Sequence, residues 1–306
     1  EPVSNPPHAS HDRTPSQVSL RRGLHMPALG FGTWQLNGGG ECRQLVETSL
    51  QCGCRLVDTA AAYKNEEDVG AALRFMPRGD IFLVTKLLSR DHGSARVVPA
   101  LRASLRRLGV EYVDLYLMHS PRGGFVLETW DAMLQARDAG LTRAVGVSNF
   151  GVEQLEGLKA AGRELPEVNQ IECHPWLQQQ ACAAWCAKER IAVMAYSPLA
   201  RGKFFGRTAL TKIAKRLACS EAEVAIRWSL MKGFVVIPKS SSLERIQQNM
   251  SALLAPPLDA DVMAEMGTLD EGRQSCPASD AMTIKWERVA EKSESGKGNG
   301  KGKSIG

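Results

Sequence analysis

Residues 81–121 read IFLVTKLLSRDHGSARVVPALRASLRRLGVEYVDLYLMHSP, and the fold is decided here. A short apolar run (81–86) leads into a stretch of helical periodicity (96–108), and a second apolar run (112–119) follows. Near-continuous apolar strands are the mark of parallel strands covered on both faces.

The same alternation extends in both directions. Strands are expected at 28–33, 55–60, 142–149, 167–173, 191–197 and 234–239, besides the two just quoted. Helices are expected at 41–52, 65–75, 126–139, 151–161, 178–189, 208–217 with 221–232, and 242–253. Eight strand-helix units at this spacing predict an α/β chain folded as a (β/α)8 TIM barrel. A hairpin at 17–27, turning at RRG, is expected to cap its bottom as an N-terminal β-hairpin. The domain is expected to span 16–288, between a Pro-, Ser- and His-rich segment (1–15) and a Lys/Gly/Ser tail (289–306), both read as disordered.

Composition agrees with one such domain. The chain has 306 residues, 43% hydrophobic and 23% charged, and α/β barrels use roughly 250 residues as a single domain. A core of that size needs neither disulfides nor a structural metal. The net charge of +5 comes with no basic stripe interleaved with aromatics, so nucleic acid is not the expected partner. Eight cysteines form no CxxC pair, which argues against a zinc site and for a reducing, cytoplasmic compartment. No apolar run reaches the 18 or so residues of a membrane span. The chain opens at Glu1 rather than Met, which reads as a fragment or processed form and leaves targeting open.

Four ionisable side chains lie just past apolar runs: Asp58 and Tyr63 in RLVDTAAAYKNE, Lys86 in IFLVTK and His119 in YVDLYLMHSP. In a barrel, strand ends form the rim where the active site is built. An ammonium beside a phenol is expected to draw its pKa below roughly 10, and a carboxylate can hold that ammonium. An imidazole alongside can orient a polar substrate atom. The set has the makings of a general acid-base assembly that needs a cofactor. A Rossmann dinucleotide fold is not the carrier: the nearest approach to GxGxxG, Gly30-Phe31-Gly32, lacks the third glycine and a following helix. The chain also has no YxxxK pair.

Further blocks occur in a fixed order: GFGTW (30–34), VDTAAAYKNE (57–66), VTK (84–86), DLYLMHSP (114–121), GVSNF (146–150), VNQIECHP (168–175), AYSPL (195–199) and IPKS…R…N (237–249). Together they closely resemble the aldo-keto reductase superfamily over roughly residues 17–270. The resemblance implies a catalytic tetrad of Asp58, Tyr63, Lys86 and His119. Tyr63 would act as general acid toward a carbonyl oxygen, with Lys86 lowering its pKa, Asp58 holding Lys86 and His119 orienting the carbonyl. It also implies that Ser148, Asn149 and Gln170 bind the nicotinamide carboxamide and that Tyr196 stacks on the ring. Ser197 and Leu199 would lie under the pyrophosphate, with Thr33 and Asp58 completing the cofactor set. Lys239, Ser240, Ser242 and Arg245 would surround an adenosine 2′-phosphate, favouring NADPH over NADH. Gln248 and Asn249 match adenine positions, although Glu is common where this chain has Gln248. Trp34 joins Tyr63 and His119 as a substrate residue, Trp176 is a weaker pocket candidate, and no metal is implied.

The resemblance thus implies NADPH-dependent reduction of aldehydes and ketones by a monomer acting on small molecules, with no membrane or nucleic-acid partner. Retention of His119 speaks against the alkene-reducing branch, where Glu replaces it. The alternative from another class is a catalytically weak NADPH-binding barrel that serves as a regulatory subunit. The chain departs from the aldose-reductase pattern at Ser120, where a Trp is usual, and in two short loops, SPRGGFVLE and ARGKFFGRTAL. The shortened lid predicts fast cofactor exchange, and residues 272–288 are expected to form the loop that sets substrate choice.

Overall fold

The computed structural model describes residues 16–206 and 209–290; the expected disorder of 1–15 and 291–306 lies outside them. Strands β1 (Gln17–Ser19) and β2 (His25–Pro27) form an antiparallel hairpin in which Ser19 faces His25. Gly23 closes its turn at φ 81°, a backbone geometry that glycine adopts without steric cost.

Eight parallel strands follow: β3 (Phe31–Gly32), β4 (Leu56–Asp58), β5 (Phe82–Leu87), β6 (Val113–Met118), β7 (Thr142–Ser148), β8 (Val168–Glu172), β9 (Ala192–Tyr196) and β10 (Val235–Ile237). Each pairs with the next in sequence order. A parallel bridge between Leu29 and Val236, with Gly30 N–H donating to Val236 O, joins the last strand to the first and closes the barrel. Every expected strand is present within a few residues of its expected ends.

The helices are α1 (Glu41–Gln51), α2 (Glu66–Leu73), α3 (Ser94–Leu108), α4 (Val126–Asp138), α5 (Val152–Ala160), α6 (Gln180–Lys188), α7 (Ala209–Arg216), α8 (Glu221–Met231), α9 (Leu243–Ser251) and α10 (Ala260–Gly267). Helix α10 was not expected from the sequence. It is capped by the Asp259 carboxylate, which accepts from Val262 N–H at 2.7 Å. Among the described residues, no helix is long and apolar enough to cross a membrane.

Two layers of core follow from the two-residue period of the strands. Leu56, Phe82, Val84, Leu115, Leu117, Ala144, Val168 and Met194 point into the barrel, where Leu20 and Met26 of the hairpin segment close its amino-terminal end. Leu83, Leu87, Tyr116, Met118 and Ile171 point outward into the larger core shared with the helices. The same period aims the residues that continue the inward rows at the opposite rim: Asp58 after Leu56, Lys86 after Val84, His119 after Leu117, Gln170 and Glu172 after Val168, and Tyr196 after Met194. Gly30 belongs to packing rather than to a phosphate loop. A Cβ there would come within 2.8 Å of the Leu56 carbonyl oxygen, so only glycine lets the chain pass β4 so closely.

Candidate active site

At the carboxyl rim, the inward ends of β4 and β5 bring Asp58 and Lys86 together. Lys86 Nζ donates to Asp58 Oδ1 at 2.6 Å and Oδ2 at 2.8 Å, to Thr59 O at 2.9 Å and to Tyr63 Oη at 3.2 Å. Lys86 is completely buried and Asp58 nearly so. A bare buried charge would be prohibitive, so this pair exists only because each ion satisfies the other. A short helical turn, Ala61–Tyr63, carries the phenol over the pair. Lys64 follows it at φ 58°, turning the chain into α2. The His119 ring meets the Tyr63 ring edge-on, with centroids 5.7 Å apart and planes at 77°.

The titration of these groups departs from expectation in one respect. Burial, and then the Asp58 carboxylate, push the Tyr63 phenol well above its ordinary range rather than below it. Burial disfavours the phenolate, and the Asp58 carboxylate adds repulsion that the Lys86 charge does not outweigh. Burial lowers the Lys86 pKa, against the opposing pull of Asp58. Burial and the Lys86 charge lower His119 to about 3, so its imidazole is neutral at physiological pH. With these shifts the phenol keeps its proton and the imidazole is neutral at physiological pH.

The expected carboxamide residues cluster on the next strands. Ser148 Oγ donates to Gln170 O at 2.8 Å, and Asn149 Nδ2 donates to His119 O at 3.0 Å and Ser148 Oγ at 3.1 Å. The Tyr196 hydroxyl donates to Asn149 Oδ1 at 2.7 Å. Asn149 sits at φ 61°, which Asn tolerates better than most side chains. Gln170 Nε2 donates to Asp58 Oδ2 at 2.7 Å, a link to the tetrad that the sequence did not reveal. Thr33 is buried with its hydroxyl donating to Asp58 O at 3.0 Å, which ties it to the tetrad strand.

Beyond β9, Ser197, Ala200 and Arg201 all adopt positive φ (47°, 47° and 57°), and the chain doubles back beside half-buried Leu199. This turn brings the Arg201 guanidinium over the Trp34 ring at 5.2 Å and within 3.5 Å of Gln35 Oε1. Trp34 is therefore packed by a residue of the turn after β9. Trp176 is instead buried against Phe204, ring centroids 5.3 Å apart.

Following β10, Ser240 Oγ accepts from Ser242 N–H at 3.0 Å and Ser242 Oγ caps α9 by accepting from Arg245 N–H at 3.4 Å. Lys239 and Arg245 are exposed, and among the described residues neither forms an ion pair. Burial, Arg245 and Arg201 lower the Lys239 pKa, while Glu41 opposes them. Neighbouring cations that form no ion pair suit a phosphate-bearing ligand. Gln248 is exposed and bonds Glu244 at 3.1 Å, whereas Asn249 is buried. The residues present fit a nicotinamide dinucleotide: a polar amide-recognition cluster beside the tetrad at one end, and Arg201, Lys239 and Arg245 at the other.

Sequence reading also missed the layer behind the tetrad. Glu66 is buried in α2, accepts from Thr85 Oγ1 at 2.6 Å and pairs with Arg107 at 2.6 Å. A charged residue in the VDTAAAYKNE block was the available signal. Among the described residues no His, Cys, Asp and Glu cluster could hold a metal.

Comparison with known proteins points the same way. The Aldo/keto reductase family model matches residues 28–271. An aldo-keto reductase of Mycolicibacterium vanbaalenii is 44% identical over 262 residues, covering 84% of this chain and 93% of the relative. Methylglyoxal reductase DkgA of Escherichia coli is 38% identical, covering 87% of this chain and 98% of its own length. A Bombyx mori aldo-keto reductase solved in complex with NADP superposes with a TM-score of 0.81 at 32% identity, covering 89% of this chain and 98% of that one.

Proposed function

Because the chain belongs to the aldo/keto reductase family, we propose that it reduces aldehydes and ketones to alcohols with NADPH, Tyr63 delivering the proton. The observation that carries this reading is the contact of Lys86 Nζ with both Asp58 and Tyr63 Oη at the barrel rim.

The reduced nicotinamide, when bound, supplies a hydride to the carbonyl carbon. The chain's own residues manage the oxygen. The Tyr63 hydroxyl and the neutral His119 ring hold it from two sides, which orients the carbonyl and stabilises the charge that develops on it. Tyr63 gives its proton to that oxygen, which completes the alcohol, and the phenolate left behind is stabilised by Lys86 at 3.2 Å. Water then restores the proton. Asp58 keeps Lys86 charged and in place throughout, since an unpaired ammonium in this position would neutralise.

Preference for NADPH rests on Lys239 and Arg245, whose charges gain more from a 2′-phosphate than from a hydroxyl. All eight cysteines are free, and six of them are buried; we extend the reading to a reducing, cytoplasmic compartment and a monomer. The test follows NADPH absorbance with a panel of aldehydes for the wild type and Tyr63→Phe, with NADH in parallel and with Lys239→Ala and Arg245→Ala. Turnover that depends on Tyr63 supports the reading, and tight NADPH binding with no turnover favours a regulatory barrel. An unchanged preference in the two alanine variants removes the phosphate clamp.

A further inference from the structure

Glu172 ends β8 on the inward row that also carries Gln170, yet it touches no member of the tetrad. It is fully buried, and its donors come from a segment more than a hundred residues later. Oε1 accepts from Ser275 N–H at 2.6 Å, from the Ser275 hydroxyl and from Cys276 N–H at 3.0 Å. Oε2 accepts from Ser279 Oγ at 2.7 Å. His174 Nε2 lies 3.3 Å from Oε1 on the remaining side. Burial alone would raise the carboxyl's pKa, but hydrogen bonds from His174, Ser275 and Ser279 hold it below its ordinary range.

The segment gathered in this way borders the reaction site. The Cys276 thiol neighbours the Tyr196 hydroxyl, where after burial it helps to push that phenol up, and it acts last and more weakly on Tyr63. Its neighbour Ser275 is tied from the other side by Lys203 Nζ, which donates to Ser275 O at 2.9 Å. Farther along, Gln154 Nε2 donates to Ile284 O, and Glu153 accepts from Trp286 N–H at 2.9 Å. These outer ties fasten the end of the segment to α5 and leave the portion nearest the phenol to Glu172 and Lys203.

We infer that Glu172 is a positioning residue for substrate selection: its carboxylate gathers Ser275, Cys276 and Ser279 and so fixes the pocket wall beside Tyr63 and Tyr196. The substrate half of this inference rests on the carbonyl-reductase reading. Its structural half, that Glu172 holds Cys276 against the site, stands apart from catalysis. The wall is set by one buried anion with backbone and hydroxyl donors, so it keeps its place without large side chains of its own. Hydrogen bonds to a buried charge are among the stronger ones in a protein, so their loss releases the wall rather than softening it.

The test compares wild type, Glu172→Gln and the milder pair Ser275→Ala/Ser279→Ala. Three quantities are measured: KM for a small and for a bulky aromatic aldehyde, NADPH Kd from tryptophan fluorescence, and the rate of Cys276 alkylation by iodoacetamide from peptide masses. Expected in both variants is a change of about tenfold in the ratio of the two KM values, the size of losing one or two such bonds. NADPH Kd should stay within about twofold on the same scale, and Cys276 should alkylate several times faster. Equal alkylation rates in all three proteins would overturn the inference. So would a parallel rise in both KM values and in Kd, since that is what a merely structural role predicts. A wild type that turns over no aldehyde overturns the carbonyl-reductase reading instead, and the alkylation rates then decide the role of Glu172.

Discussion

Gln170 Nε2 lies 2.7 Å from Asp58 Oδ2, so an amide from the expected carboxamide cluster also holds the carboxylate that anchors Lys86. On the proposed reading, cofactor recognition and acid-base chemistry share this side chain. Asp58 Oδ2 accepts from both Gln170 and Lys86, and removing the amide leaves the buried carboxylate one donor short. Gln170→Leu is expected to lower kcat by about tenfold or more and to weaken NADPH binding as well, since hydrogen bonds to charged groups contribute about 1.5–3 kcal/mol. Steady-state kinetics with fluorescence titration of NADPH would check both, and a change in only one would separate the two duties.

The phenol is the second target. Burial keeps Tyr63 protonated through neutral pH, so the reductive rate should vary little from pH 6 to 8 on account of this residue. Tyr63→Phe is expected to lower kcat by roughly 10²–10⁴, the usual range for a lost general acid. NADPH binding should survive, because the hydroxyl makes no contact with the carboxamide cluster. A variant that retains wild-type kcat would remove Tyr63 from the chemistry.

Acid should destabilise the fold through His119. An unfolded histidine takes up a proton near pH 6.5, whereas the buried ring does so only at about pH 3. The unfolded chain thus binds more protons between these values, and stability falls as pH drops through the window. Glu172, held below its ordinary range, acts in the same direction at lower pH. Thermal melts from pH 7 to 4 should show Tm declining, and His119→Asn should decline less steeply. Equal slopes would mean that the ring is not held neutral.

The lid is short, but it reaches across the cleft. Arg201 stacks on Trp34 and bonds Gln35, joining the turn after β9 to the segment after β3. Arg201→Ala should therefore speed NADPH release by roughly twofold to thirtyfold, the kinetic equivalent of a cation–π contact of about 0.5–2 kcal/mol. Stopped-flow fluorescence would measure it. Slow release that limits turnover in the wild type would overturn the expectation of fast exchange from a shortened loop.

Gly30 offers a stability test removed from the chemistry. The Cβ of Gly30→Ala would lie 2.8 Å from Leu56 O and 2.9 Å from Leu56 Cβ, forcing β4 aside. Overpacking of this kind costs about 1–3 kcal/mol, which a urea midpoint would resolve.

The residues that the sequence exposed best are those whose position obeys a period. Lys86 follows Phe82 and Val84, and His119 follows Leu115 and Leu117, so alternation alone aims them at the barrel rim. Residues held by distant partners were not readable in that way. Nothing local in GRQSCPAS announces that Ser275, Cys276 and Ser279 converge on Glu172, because the contacts span more than a hundred residues. Arg201 was hidden for a similar reason: its partner, Trp34, lies more than 160 residues earlier in the chain, past the strand on the other side of β10. Val289 and Ala290, assigned to the tail, accept from Val126 and Leu127 N–H at the start of α4.

By itself the sequence determined the eight-strand alternation, the inward rows and hence the four residues on one rim, because strand period and burial are local properties of the chain. Only the tertiary structure decided how those residues titrate. Whether an ammonium lowers a neighbouring phenol depends on how deeply both are buried and on what else neutralises the ammonium, and here burial and Asp58 together outweigh Lys86. Charge balance in a buried site is a sum over groups brought together from separate strands, so it exists only once the barrel has closed.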